Sequence, residues 1–273
     1  MAASNLDCQM PMAGAKFQVI GAGLPRSGTN SFCAAISYLL EGPAYQAAVQ
    51  CALSKTPNHA LALIDILKLK ARQIESQQEI HGQQVKQALA DEMHGWVASA
   101  DAPLCLFVPE LLEIHPDAIV ICSRRDREVW VESMWKAARL GDPKILYWLY
   151  YWVSVLRYSP RMWAAQTPIW RHLYGVNMDS KNNAQKIWDR HHEWLRSVVP
   201  PEKLFFVDLK DGWDPICRAL GTPVPVNVPF PRLNDGAALE KTMKELAVQG
   251  ILRWITILGS GAVLVILAWR YFI

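Results

Sequence analysis

The sequence carries no CxxC pair, no internal repeat, no low-complexity segment and no basic stretch followed by an apolar run near its start. The six cysteines, Cys8, Cys33, Cys51, Cys105, Cys122 and Cys217, are scattered and mostly lie in apolar runs. That distribution points away from a zinc site or a disulfide framework and towards reduced, buried thiols. Excess charge of one sign is also scarce: 28 Lys and Arg against 25 Asp and Glu leave +3 at pH 7. Such a balance suits a small anionic ligand but falls short of the basic stripe that nucleic acid requires, so nucleic acid is not expected as a partner. With no secretory signal in MAASNLDCQMPMAGAK, the body of the protein is expected to face the cytosol.

A chain of 273 residues is long enough for one α/β domain with a full core. Apolar runs at Phe17 to Gly21, Val97 to Asp101, Ala118 to Cys122 and Lys203 to Asp208 read as strands. Helical spacing separates them, at Thr29 to Leu40, Asn58 to Gly95, Leu104 to His115, Arg127 to Leu140 and Trp213 to Leu220. Strands alternating with helices predict a central parallel sheet flanked by helices on both faces. Residues 1–16 are expected to be a flexible N-terminus, residues 17–235 the α/β domain, residues 236–250 a linker helix and residues 251–273 a transmembrane tail anchor.

The anchor is read from ILRWITILGSGAVLVILAWRYFI, which holds no charge between Arg253 and Arg270 and places Trp254, Trp269 and Tyr271 where interfacial aromatics stand. The competing reading is a buried core helix, but the run is apolar on every face. A second unusual stretch, Lys144 to Gly175, concentrates Trp148, Trp152, Trp163 and Trp170 with several tyrosines. Helical core packing is the favoured reading; a lid that walls an acceptor pocket or leans on the membrane is the alternative.

VIGAGLPRSGTNS, Val19 to Ser31, is a glycine-rich turn between a strand and a helix, the setting in which backbone N–H groups bind phosphate. As a dinucleotide fingerprint it has Gly21 and Gly23 but Arg26 in place of the third glycine. As a nucleoside triphosphate loop it has Gly23 and Gly28 at the correct spacing, yet Thr29 follows where lysine is required. What remains is a phosphate cradle whose cation, Arg26, lies within the loop, with hydroxyls from Ser27 and Thr29 and close approach at Gly28.

Pro25 to Thr29, PRSGT, resembles the phosphosulfate loop of sulfotransferases. Two further blocks carry the same resemblance. In IVICSRRDREVWVESM an arginine, Arg125, ends a strand and Ser133 follows on the next helix; residues 205–235 hold Lys210, Gly212, Trp213, Pro215, Cys217, Leu220 and Gly221, then Phe230, Pro231 and Asn234. The match is to a sulfotransferase-like family widespread in fungi and other eukaryotes. It implies a P-loop-type fold and the donor 3′-phosphoadenosine 5′-phosphosulfate (PAPS). Pro25, Arg26, Ser27, Gly28, Thr29 and Asn30 would cradle its 5′ end and Arg125 with Ser133 its 3′-phosphate. Lys210 and Arg232 are weaker candidates, each equally explained as a solvated charge.

The resemblance also implies a general base at Asp101, in ASADAPLCLF, with Arg26 as the other catalytic residue. From the residues alone Asp101 is equally a helix cap before Pro103. Gln46, in GPAYQA, stands where relatives often carry histidine. Among the seven histidines, His191 and His192 are adjacent on a helix and so do not share a face, and no metal site is expected. The implied reaction moves a sulfuryl group to a hydroxyl or amine of a small acceptor, whose identity the sequence leaves open; the membrane tether and the aromatic stretch favour a lipophilic one. A scaffold on the same fold without turnover, or a nicotinamide-dependent enzyme, are the alternatives.

Overall fold

The computed structural model describes residues 8–54, 56–140, 151–152, 156–233 and 235–272. Five strands, β1 (Val19–Gly21), β2 (Ala44–Gln46), β3 (Ala98–Ala100), β4 (Ile119–Arg124) and β5 (Leu204–Asp208), form one sheet in the order β2-β3-β1-β4-β5. Every pairing is parallel. The strands are short, and the inner ones are buried on both faces, as their continuous apolar or small-residue composition requires.

Helices cover both faces. On one side α1 (Thr29–Leu39) and α9 (Asp214–Leu220) pack through Phe32, Ile36, Ile216 and Cys217. On the other lie α3 (Asn58–Ser76), α4 (Glu79–Glu92), α5 (Val108–Ile114), α6 (Arg127–Leu140), α7 (Ser159–Tyr174) and α8 (Lys181–Val198), with Leu67, Leu89, Leu111, Trp130, Trp170 and Trp188 in the core. The region expected as one helical stretch from Asn58 to Gly95 divides at Gln77, which ends α3 in the left-handed conformation. Leu104 to His115 likewise divides, into a 3-10 turn at Leu104–Leu106 and α5. β2, and α2 (Ala47–Leu53) after it, were not anticipated: three residues are too few to show a period.

β3 lies between β1 and β2, an order that differs from the doubly wound dinucleotide fold, in which β2 neighbours β1. β1 therefore has later strands on both flanks, and the crevice at its carboxyl end is the topological switch point where open α/β sheets bind ligands.

Residues 8–16 are tied to this body. Gln9 Oε1 accepts from the Ala44 N–H at 2.7 Å and the Met12 N–H donates to the Gly95 carbonyl at 2.8 Å. In the aromatic stretch, Ile169, Trp170 and Tyr174 on α7 are buried while Trp152 and Trp163 are exposed; Trp148 lies outside the described residues. The segments expected as a linker helix and a separate anchor form one continuous helix, α10 (Asp235–Phe272). Its stretch Ala247–Tyr271 is long and apolar enough to cross a membrane, and the most apolar window within it has no buried residue. At about 1.5 Å per residue its 25 residues extend about 37 Å, more than the hydrocarbon thickness of about 30 Å.

Candidate functional site

The loop after β1 is fixed from three directions. Trp130 Nε1 on α6 donates to the Pro25 carbonyl at 2.7 Å, and Ser27 Oγ lies 2.8 Å from Ser123 Oγ on β4. His191 on α8 is fully buried, and burial lowers its pKa to about 3, so the ring is neutral. Its Nε2–H donates to the Ala22 carbonyl at 2.7 Å, which leaves Nδ1 to accept from the Tyr174 hydroxyl at 2.8 Å. Within the loop, Arg26 and Gly28 hold φ of +70° and +90°. Gly28 serves as N-cap of α1 without any side-chain bond, so the positive end of the helix stays open to an anion. A Cβ at Gly28 would stand 2.8 Å from Leu209 Cδ1, and one at Gly23 would collide with Ser123. Asn30 Oδ1 is buried with no hydrogen-bond partner among the described residues, polar capacity held beside the cradle.

Asp101 follows β3 and is 6% exposed. Its side chain does not cap the 3-10 turn that follows. Instead Oδ1 accepts from the Ala102 N–H at 2.8 Å, and Oδ2 accepts from Gln46 Nε2 at 2.7 Å and from Thr29 Oγ1 at 3.2 Å. The Gln46 amide is oriented from its other end, where Oε1 accepts from the Val49 N–H at 2.6 Å. Burial pushes the Asp101 carboxyl above its ordinary value, opposed by the donors from Ala102, Thr29 and Gln46 and by the charge of Arg26. A carboxylate thus stands in a dry corner, bonded to the first helical residue of the phosphate-type loop.

Across β1, the ends of β4 and β5 open into a cleft of about 580 Å³ lined by five cations and four carboxylates. Arg127 is consumed by a bidentate pair with Asp189, at 2.8 and 2.6 Å, which raises the arginine pKa and lowers that of the aspartate. Arg124, Arg125, Arg196 and Lys210 form no ion pair among the described residues. Phe206 lies between Arg124 and Arg196, whose guanidinium carbons are 5.1 and 4.7 Å from its ring centroid. All five strands therefore contribute at their carboxyl ends: the loop from β1, Gln46 from β2, Asp101 from β3, Arg125 from β4 and Lys210 from β5.

A family model described as a sulfotransferase domain matches residues 18–239. This chain belongs to the sulfotransferase family. Its relatives include the Ava biosynthesis cluster protein M of Aspergillus versicolor, 29% identical over 180 residues, a match that covers 63% of this chain and 66% of that protein.

Side-chain contacts join the loop to α6 and the PFPRLN block to α1. Ser133, expected beside Arg125, accepts from Arg26 Nε at 3.3 Å, linking α6 to the loop. Arg232 makes no ion pair among the described residues; its Nη2 donates to the Lys210 carbonyl at 3.5 Å. The Leu233 N–H, in turn, donates to Ser31 Oγ at 3.0 Å, fastening the PFPRLN block to α1. Sequence reasoning passed over Gln46 as a partner of Asp101, His191 as the support of the loop, and Arg124 and Arg196 in the cleft. For Arg124 a signal existed, since it adjoins Arg125 at the strand end. For Gln46 and His191 the partners lie 55 and 169 residues away in sequence and leave no local pattern.

Proposed function

We propose that the chain is a PAPS-dependent sulfotransferase acting on a hydroxyl or amine of a small, lipophilic acceptor, held at a membrane by Ala247–Tyr271 with its body in the cytosol. The observation that carries this reading is the meeting of Asp101 with Thr29 of the loop, which puts a base and an anion cradle within one hydrogen bond of each other.

The residues present fit a ligand with phosphates at two ends. The open N-terminus of α1, Arg26 and the hydroxyls of Ser27 and Thr29 suit the 5′ end; Arg125, Ser133, Lys210 and Arg232 are assigned to the 3′-phosphate. When bound, PAPS supplies the sulfuryl group. Arg26 and the loop N–H groups offset negative charge on the leaving phosphate, in the manner of other phosphate-leaving transfers. Asp101 accepts the proton of the acceptor hydroxyl or amine. Its burial strengthens it as a base, while Gln46 and Thr29 supply donors that favour the ionised form.

Calorimetric titration of the full chain in nanodiscs with adenosine 3′,5′-bisphosphate, the desulfated donor, tests the reading. Saturable binding is expected, weakened in Arg125→Ala by about ten- to a hundredfold, the loss of a charged hydrogen bond of about 1.5–3 kcal/mol. Absence of binding, or binding of NAD in its place, would reject it.

A further inference from the structure

Between Asp142 and Asp179 the sequence contains no acidic residue, yet it carries Lys144, Arg157, Arg161 and Arg171 and nine tyrosines and tryptophans. The three arginines are exposed and none pairs with a carboxylate among the described residues. Arg157 and Arg161 both lie over the Tyr158 ring, at 5.0 and 5.8 Å from its centroid, so two guanidinium groups are gathered at one aromatic ring. α7 divides sharply between its two sides. Gln166, Ile169, Trp170 and Tyr174 seat it in the core, while Arg161, Thr167 and Arg171 face solvent together with Trp163, which remains 41% exposed.

Close to α7 in the sequence, Trp152 lies against the apolar helix. Trp152 and Trp254 meet edge to face, with ring centroids 5.8 Å apart, and Arg253 Nη1 donates to the Trp152 carbonyl. Trp254 lies seven residues into Ala247–Tyr271, near its first end, so Trp152, seven residues before α7 in the sequence, abuts the helix there. Tryptophan and tyrosine favour the headgroup level of a bilayer, and arginines beside an anionic leaflet add attraction of about fivefold in affinity each.

We infer that the outer face of α7, with Arg157, Arg161, Trp163 and Arg171, is a second membrane contact that rests on an anionic leaflet on the body side of the helix. The inference rests on the reading of Ala247–Tyr271 as a span. Its consequence is that the body is laid against the bilayer in a fixed attitude and does not swing on a single tether.

The test uses the full chain in nanodiscs of phosphatidylcholine, with or without phosphatidylserine, the acyl chains brominated near the headgroup. The fluorescence lost on replacing Trp163 by Phe isolates that residue from the other tryptophans. Quenching of Trp163 in phosphatidylserine discs, relieved when Arg157, Arg161 and Arg171 are changed together to Glu while bisphosphate binding persists, is the expected result. Equal Trp163 emission with and without bromine in the serine-containing discs overturns the inference. Flotation with neutral vesicles reads the span by itself. A chain that fails to float removes the anchor and the second contact together, whereas one that floats with Trp163 unquenched removes the second contact only.

Discussion

Asp101 and Arg125 stand just beyond the ends of β3 and β4, on opposite flanks of β1, in unlike surroundings. Asp101 is sealed in a corner where three donors converge on a single carboxylate. Arg125 opens onto a solvent-accessible cleft lined by both cations and carboxylates, in which one arginine is already neutralised by Asp189. Low dielectric makes each interaction in the dry corner strong and each loss severe; in the cleft, water and salt screen every charge. On the proposed reading, proton transfer belongs to the first site and donor binding to the second.

The sharpest way to break that division is Asp101→Asn. Sulfuryl transfer should fall about 10²- to 10⁴-fold, the usual worth of a general base, with bisphosphate affinity unchanged. The stability of the variant relative to the parent should depend on pH. The folded-state pKa of Asp101 is raised above its ordinary value of 3.8, so its burial costs nothing below that pH and its full penalty applies above the folded pKa. The melting temperature of the Asn variant should therefore gain on that of the parent as pH rises from 3.8 towards neutral, by about 2–4 °C for each kcal/mol of penalty relieved, against a pH-independent loss from the donors that an amide leaves unpaired. That gain should vanish as pH falls towards 3.8. Thermal denaturation across this range checks the sign.

Arg125→Ala is the counterpart in the cleft. It should weaken the bisphosphate about ten- to a hundredfold by calorimetry while leaving the pH profile of turnover in place. Gln46→Ala sharpens the comparison further, because it removes a donor to the carboxylate without touching the cleft. The rising limb of the turnover profile, set by ionisation of Asp101, should shift to higher pH, so the rate should drop most on the acid side of the profile. The smallest effect is expected at Arg127. Its pair with Asp189 is 37% and 48% exposed, so Arg127→Ala should change stability by no more than about 1 kcal/mol in chemical denaturation.

How much of this is legible in the sequence depends on whether a residue acts within its own segment. Pro25 to Thr29 announce an anion cradle because glycine, hydroxyls and a cation are contiguous, and Arg125 is placed by the apolar strand before it. The choice between cap and base at Asp101 turns on Thr29 and Gln46, 72 and 55 residues away. His191 is, in the sequence, no more than one of an adjacent pair, yet it buttresses the loop across 169 residues through the Ala22 carbonyl. That contact has its own signature. Because its pKa is lowered to about 3, the unfolded chain takes up a proton that the folded one refuses between about 6.5 and 3, and stability should fall with acidification there by up to about 1.4 kcal/mol per pH unit. Gln46 lies in a strand of three residues that no hydrophobic period reveals.

The most direct test is transfer of label from sulfur-labelled PAPS into a lipid and small-molecule extract by the full chain in nanodiscs, run beside Asp101→Asn. Labelled product from the parent chain, absent from the variant although both bind the bisphosphate equally, is the predicted result. Equal labelling by both chains would contradict the role of Asp101, and bisphosphate binding without any labelled product would indicate a sulfotransferase fold that has kept its ligand and lost its turnover.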